Sequence, residues 1–131
     1  MRKINVVAAV LKNDKDEVLC ALRSPTMSSP NVWEFPGGKI EEGELPKEAL
    51  IREIEEELDC SIEVFDLIKE VDHRQRPDFN IRLLTYKAKV INGTPQAKEH
   101  AKLEWKPLAE LRSLKWAPAD IPTVERLLTG V

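Results

Sequence analysis

Hydrophobic and polar positions divide the chain into strands alternating with a few helices. Residues 4–11 are apolar and largely β-branched, the pattern of a strand buried on both faces. Asn13-Asp14-Lys15-Asp16 reads as a turn and Val18 to Arg23 as the returning strand. Ser24-Pro25-Thr26-Met27-Ser28-Ser29-Pro30 has the composition of a loop. After Trp33-Glu34-Phe35-Pro36-Gly37-Gly38-Lys39, residues 45–58 hold no glycine and only Pro46, which suits a first helical turn. Ile62 to Val71 and Ile81 to Ile91 read as strands, Asn92-Gly93 as a turn, and Leu103 to Trp105 as a short strand. A last helix is expected from Pro118 to Leu128. This succession predicts an α/β or α+β class, with helices packed on a mixed sheet.

On a helical wheel, Leu50, Ile51, Ile54 and Leu58 form the stripe of 45–58 that faces the core. Glu53, Glu56 and Glu57 stand at i, i+3 and i+4, so their carboxylates share a neighbouring face. Ala49 falls on that acidic face, and so small a side chain leaves room for something to approach. Like charges so placed repel by a few tenths of a kcal/mol per pair. A helix built only for solubility would interleave lysines. Clustered carboxylates are what a hard divalent cation requires, and Mg²⁺ is commonly shared between carboxylates and substrate phosphates. Leu45, just before Pro46, takes the N-cap position without a side-chain oxygen, while Glu48 stands where a capping box needs its acid.

Composition narrows the function classes. At 131 residues, 42% hydrophobic and 33% charged, the chain reads as one globular domain. Its longest apolar run, Val6 to Leu11, is six residues, too short to cross a membrane. That run is followed by Lys12-Asn13-Asp14-Lys15-Asp16 rather than a cleavage site, which argues against a signal peptide. Two cysteines, Cys20 and Cys60, argue against a disulfide framework, so a cytoplasmic location is expected. Residues 41–59 carry nine acids against two bases, a local balance of −7 in a chain of −3. Such a block repels a nucleic-acid polymer.

The spacing around the acidic helix is specific. Gly38 is followed by five residues and Glu44, then by seven residues and Arg52-Glu53-Ile54-Glu55-Glu56-Glu57-Leu58-Asp59-Cys60. This resembles the signature of the Nudix hydrolase superfamily, G-x5-E-x7-R-E-U-x-E-E-x-G-U with U apolar. One position departs: Asp59 stands where the family has the glycine that ends the helix in a left-handed conformation. The resemblance implies a single domain over residues 1–131, with a mixed sheet sandwiched between helices. It also implies hydrolysis of a nucleoside diphosphate linked to another moiety. Glu53, Glu56 and Glu57 match the metal-binding glutamates, and the carbonyl of Gly38, or of Gly37, completes the site. Arg52 matches the arginine that orients Glu53, the expected base. Catalysis is thus expected from Glu53, Arg52 and Glu56, with Mg²⁺ as cofactor and Mn²⁺ as a substitute. Glu44 matches an accessory glutamate.

Outside that segment the chain resembles the branch of the superfamily that acts on nucleoside triphosphates. Trp33 to Lys39 matches its strand before the signature, bringing Phe35 and Lys39 to the substrate. Arg23 matches a phosphate-contacting position and Glu99 an additional metal-side glutamate; His100 beside it reads as a hydrogen-bonded structural residue. Leu114-Lys115-Trp116-Ala117-Pro118-Ala119-Asp120-Ile121-Pro122 resembles the base-reading segment of bacterial CTP pyrophosphohydrolases, with Asp120 as the reader. Its MutT counterpart, for 8-oxo-dGTP, carries Asn there. Ionised Asp is acceptor-only, which disfavours uracil and thymine but does not choose between cytosine and oxidised guanine. Phe35, Val6 and Ile81 are candidate walls of a base slot. The expected reaction converts CTP or dCTP, or a modified cytosine nucleotide, to monophosphate and pyrophosphate. Cleavage of 8-oxo-dGTP is the alternative, and a non-catalytic nucleotide sensor the remote one. A small-molecule substrate is the expected partner, and both monomer and homodimer remain open.

Overall fold

The computed structural model describes residues 2–129. Strands β1 (Arg2–Leu11), β4 (Gly37–Lys39), β5 (Ser61–Arg76) and β6 (Phe79–Asn92) form a four-stranded sheet in the order β4-β1-β6-β5. β1 runs parallel to β6 and antiparallel to β4, so the sheet is mixed as expected. A second, antiparallel sheet, not foreseen from the sequence, joins β2 (Glu17–Leu22), β3 (Trp33–Glu34) and β7 (Lys102–Pro107) in the order β3-β2-β7.

Alternation along β1 distributes the core. Val7, Ala9 and Leu11 face helix α1 (Pro46–Leu58), packing with Leu50, Ile54 and Leu58. Ala8 and Val10 face the other side, with Val18, Phe35, Trp116 and Val124 of helix α2 (Ile121–Thr129). The expectation that all of 4–11 is buried on both faces holds only from Val7 onward. Ile4 and Val6 are half-buried, because an open cavity lies over them. The expected last helix is split: Pro118–Asp120 forms a 3-10 turn and α2 begins at Ile121. Among the described residues no helix is long and apolar enough to cross a membrane.

α1 ends in the conformation that the motif's glycine supplies, although Asp59 replaces it. Asp59 adopts the left-handed conformation, φ 58° and ψ 39°, and its N–H donates to the Glu55 carbonyl. At the other end Leu45 is the N-cap, and its N–H donates to Glu48 Oε1 at 3.0 Å. Leu45 supplies no acceptor in return and is 65% exposed, so little packing depends on it. Leu45→Thr is therefore expected to raise stability by about 0.5–1 kcal/mol by completing the capping box. Chemical denaturation checks this, and an unchanged or lower midpoint would show that the leucine packs more than its exposure suggests.

Candidate active site

Two glycines let the acidic helix seat on the sheet. Gly37 and Gly38 lie opposite Ala8 and Val7 of β1. A Cβ on Gly37 would collide with the Val7 carbonyl, and one on Gly38 with the Glu53 carboxylate. The room expected beside Ala49 is not open: Ala49 is completely buried in the core, and α1 packs against β4.

Arg52 holds the acids together. Its Nε and Nη2 donate to the two oxygens of Glu44 at 2.6 and 2.9 Å, a bidentate pair. Nη2 also donates to the Lys39 carbonyl at 3.0 Å, and Nη1 to Glu53 at 2.8 Å and Glu56 at 3.0 Å. Hydrogen bonds from Arg52 hold the Glu44 carboxyl at about 2. Glu57 has no such cation. Burial raises its carboxyl to about 7; His100 opposes the shift, while Glu53, Glu34 and Glu99 add to it.

A cavity of about 740 Å³ opens beside these residues, within the range of nucleotide-sized sites. Gly38, Lys39, Glu53 and Glu57 line one end. Phe35, Val6 and Ile81 line its apolar stretch, and Phe35 packs on Trp116 with ring centroids 4.7 Å apart. Asp120 closes on that stretch. It is brought there because residues 115–117 pair with Trp33: the Trp33 N–H donates to the Lys115 carbonyl and the Ala117 N–H to the Trp33 carbonyl, each at 2.8 Å. Arg23 is also in the wall. Two expected residues stand outside it: Glu56 is exposed and turned to Arg52, and Glu99 is exposed. Among the described residues, no three acids, histidines or cysteines converge tightly enough to hold an ion as they stand.

Glu34 and His100 stand in the wall and were not selected from the sequence for function. Glu34 accepts from Arg23 at 2.7 Å and contacts His100 Nε2 at 2.8 Å. His100 is hydrogen-bonded, as read, but it also lines the cavity. The available signal was an acid between Trp33 and Phe35 in an otherwise apolar strand.

The profile of the NUDIX domain matches residues 1–127. The chain belongs to the Nudix family. It is 32% identical over 127 residues to the 8-oxo-dGTP diphosphatase of Escherichia coli K12, covering 97% of this chain and 98% of that one. It is 35% identical over 128 residues to the CTP pyrophosphohydrolase of the same strain, covering 98% and 93%. The solved structure of MutT, a Nudix hydrolase from methicillin-resistant Staphylococcus aureus 252, matches with a TM-score of 0.80 at 45% identity, covering 99% and 98%. The Nudix chain described here is a pyrophosphohydrolase acting on nucleotides.

Asp120 is 5% exposed, and burial, reinforced by Glu34 and opposed by Arg23, raises its carboxyl well above the usual range. The acceptor-only argument against uracil and thymine assumed an ionised Asp120. A neutral acid both donates and accepts, so the acceptor-only pattern belongs to the ionised form alone.

Glu57 yields a linkage test. Its carboxyl is raised from 4.5 to about 7 in the fold. The stability it contributes is full below its unfolded value and is lost as pH rises through about 7. A divalent cation bound there replaces the proton. Saturating Mg²⁺ is thus expected to raise the melting temperature more at pH 8 than at pH 5.5. Calorimetry checks it; an equal or larger rise at pH 5.5 would remove Glu57 from the ion site.

Proposed function

We propose that this Nudix hydrolase converts a cytosine nucleoside triphosphate, CTP or dCTP, to the monophosphate and pyrophosphate. Mg²⁺ is the cofactor in this reading, with Mn²⁺ able to replace it, and the substrate pool is cytoplasmic. Nudix hydrolases generally use divalent cations, and the donor chemistry here suits a hard one. Glu53 and Glu57 present only oxygens, Gly38 brings backbone beside them, and Glu57 is a half-buried carboxylate lacking a cation. Glu53, Glu56, Glu57 and Gly38 would hold it, with Glu99 approaching from outside the cavity wall. When bound, the ion supplies charge neutralisation on the phosphates and Lewis acidity.

The chain's own residues do the rest. Arg52 fixes one Glu53 oxygen, leaving the other toward Gly38, and Glu53 takes the proton of the attacking water. Arg23 and Lys39 meet the polyphosphate with positive charge. Phe35 packs the base against the apolar stretch.

The observation that carries the base assignment is Asp120, buried at the apolar stretch and, among the described residues, in no ion pair. Cytosine presents a donor, N4–H, beside an acceptor, N3. A neutral carboxylic acid matches both, accepting with its carbonyl and donating with its hydroxyl. An ionised Asp would instead fit the adjacent N1–H and N2–H donors of a guanine. That is the chemistry of the second reading, 8-oxo-dGTP cleavage, which the likeness to the E. coli 8-oxo-dGTP diphosphatase favours. A neutral acid also matches uracil in reversed order, so a substrate panel of canonical and oxidised nucleotides, read by phosphorus NMR, tests the choice. CTP or dCTP leading, with pyrophosphate as product, is expected; leading 8-oxo-dGTP, or release of orthophosphate, would overturn the proposal.

Asn offers the same donor and acceptor as a neutral Asp. Asp120→Asn is therefore expected to keep kcat/KM for CTP within about threefold, while Asp120→Ala loses about tenfold or more. Steady-state kinetics at pH 7.5 decides, and equal losses in both variants would show that Asp120 acts as an anion.

A further inference from the structure

The loop between β2 and β3 is tied down by one guanidinium. Arg23 Nε donates to the Ser28 carbonyl at 2.8 Å, and Nη2 to Ser28 Oγ at 3.2 Å. Nη1 donates to Glu34 Oε1 at 2.7 Å. The loop's base is closed by backbone bonds, from the Arg23 N–H to the Val32 carbonyl and from the Asn31 N–H to the Arg23 carbonyl. Ser29 and Asn31 hold φ of 51° and 65°, a region non-glycine residues rarely occupy and keep only where surroundings impose it. Met27, Ser28 and Ser29 line the cavity beside Glu34 and His100.

Glu34 is itself held from behind. Its second oxygen lies 2.8 Å from His100 Nε2, and that histidine's side chain is 1% exposed. The carboxylate accepts only, so Nε2 carries the hydrogen in this contact. His100 Nδ1 is buried and without a partner among the described residues.

We propose that Glu34 is a positioning residue, whose carboxylate, braced by His100, aims the Arg23 guanidinium and through it fixes the 24–30 loop as one wall of the nucleotide cavity. This rests on reading the cavity as the nucleotide site. Ordering belongs to substrate capture rather than to the chemical step, so its loss falls on KM. Glutamine preserves the arrangement: its oxygen accepts from Arg23 and its amide donates to His100 Nε2, with the ring hydrogen moved to Nδ1. That move breaks no existing bond, since Nδ1 has no partner.

Two measurements on Glu34→Ala, Glu34→Gln, Arg23→Ala and the Glu34→Ala/Arg23→Ala double variant test this. With nucleoside triphosphate and Mg²⁺, Glu34→Ala is expected to raise KM about tenfold with kcat within about threefold. Glu34→Gln should stay within about threefold of wild-type KM, and the double variant should be no worse than the poorer single. In the free protein, the amide resonances of Thr26 to Ser29 should move alike in Glu34→Ala and Arg23→Ala and hold in Glu34→Gln. Unmoved loop amides in Glu34→Ala, a fall in kcat at constant KM, or multiplying effects in the double variant would each overturn the proposal. Should Glu34→Ala not fold, loop amides unmoved in Arg23→Ala, or displaced in Glu34→Gln, would overturn it equally. A wild-type protein inactive on every nucleoside triphosphate would sink the substrate reading, while the loop resonances would still decide the role of Glu34.

Discussion

Every N–H of Arg52 reaches an acceptor, and the site is built around that saturation. Nine acids in residues 41–59 could not share so small a space on repulsion alone. The guanidinium fork joins the loop before α1 through Glu44, strand β4 through the Lys39 carbonyl, and the helix itself through Glu53 and Glu56. Charge-assisted bonds of this kind are about twice as strong as neutral ones. Lysine, a point charge without a fork, could not make them together. Glu53 is thereby turned against Gly38, while Glu57 is left half-buried and, among the described residues, without a cation.

That asymmetry separates two tasks along one cavity. At the acidic end, charge is gathered and incompletely neutralised, which invites a hard cation and phosphates. Elsewhere in the wall, Phe35, packed on Trp116, stands with Val6, Ile81 and the buried Asp120. Glu34 is in the same wall, and its charge bears on both Glu57 and Asp120.

What the sequence made legible was local. The span of α1, the N-cap at Leu45 and the left-handed Asp59 follow from residue chemistry within one or two turns, and the acidic face from helical spacing. What it hid was tertiary. β5 runs on to Arg76, beyond the expected Val71, because Asp72, His73 and Arg74 lie in a hairpin arm that extends past the core and lacks apolar alternation. Ala49 was read as leaving room for an approach, although it is packed into the core. The burial of Asp120 was hidden because it depends on how residues 115–117 pair with Trp33. Glu34 was passed over because its partners Arg23 and His100 are 11 and 66 residues away.

The central claim is that Glu53 and Glu56, organised by Arg52, together with Glu57 beyond its reach, form an ion site on which nucleotide hydrolysis depends. The most direct test is the rate of pyrophosphate release from a nucleoside triphosphate at saturating Mg²⁺, for wild type and Glu57→Gln. The substitution keeps the side chain's shape and removes the charge that no guanidinium balances. At least about a hundredfold loss of turnover, with the fold intact by circular dichroism, is the predicted result. Wild-type turnover in the Gln variant would contradict it.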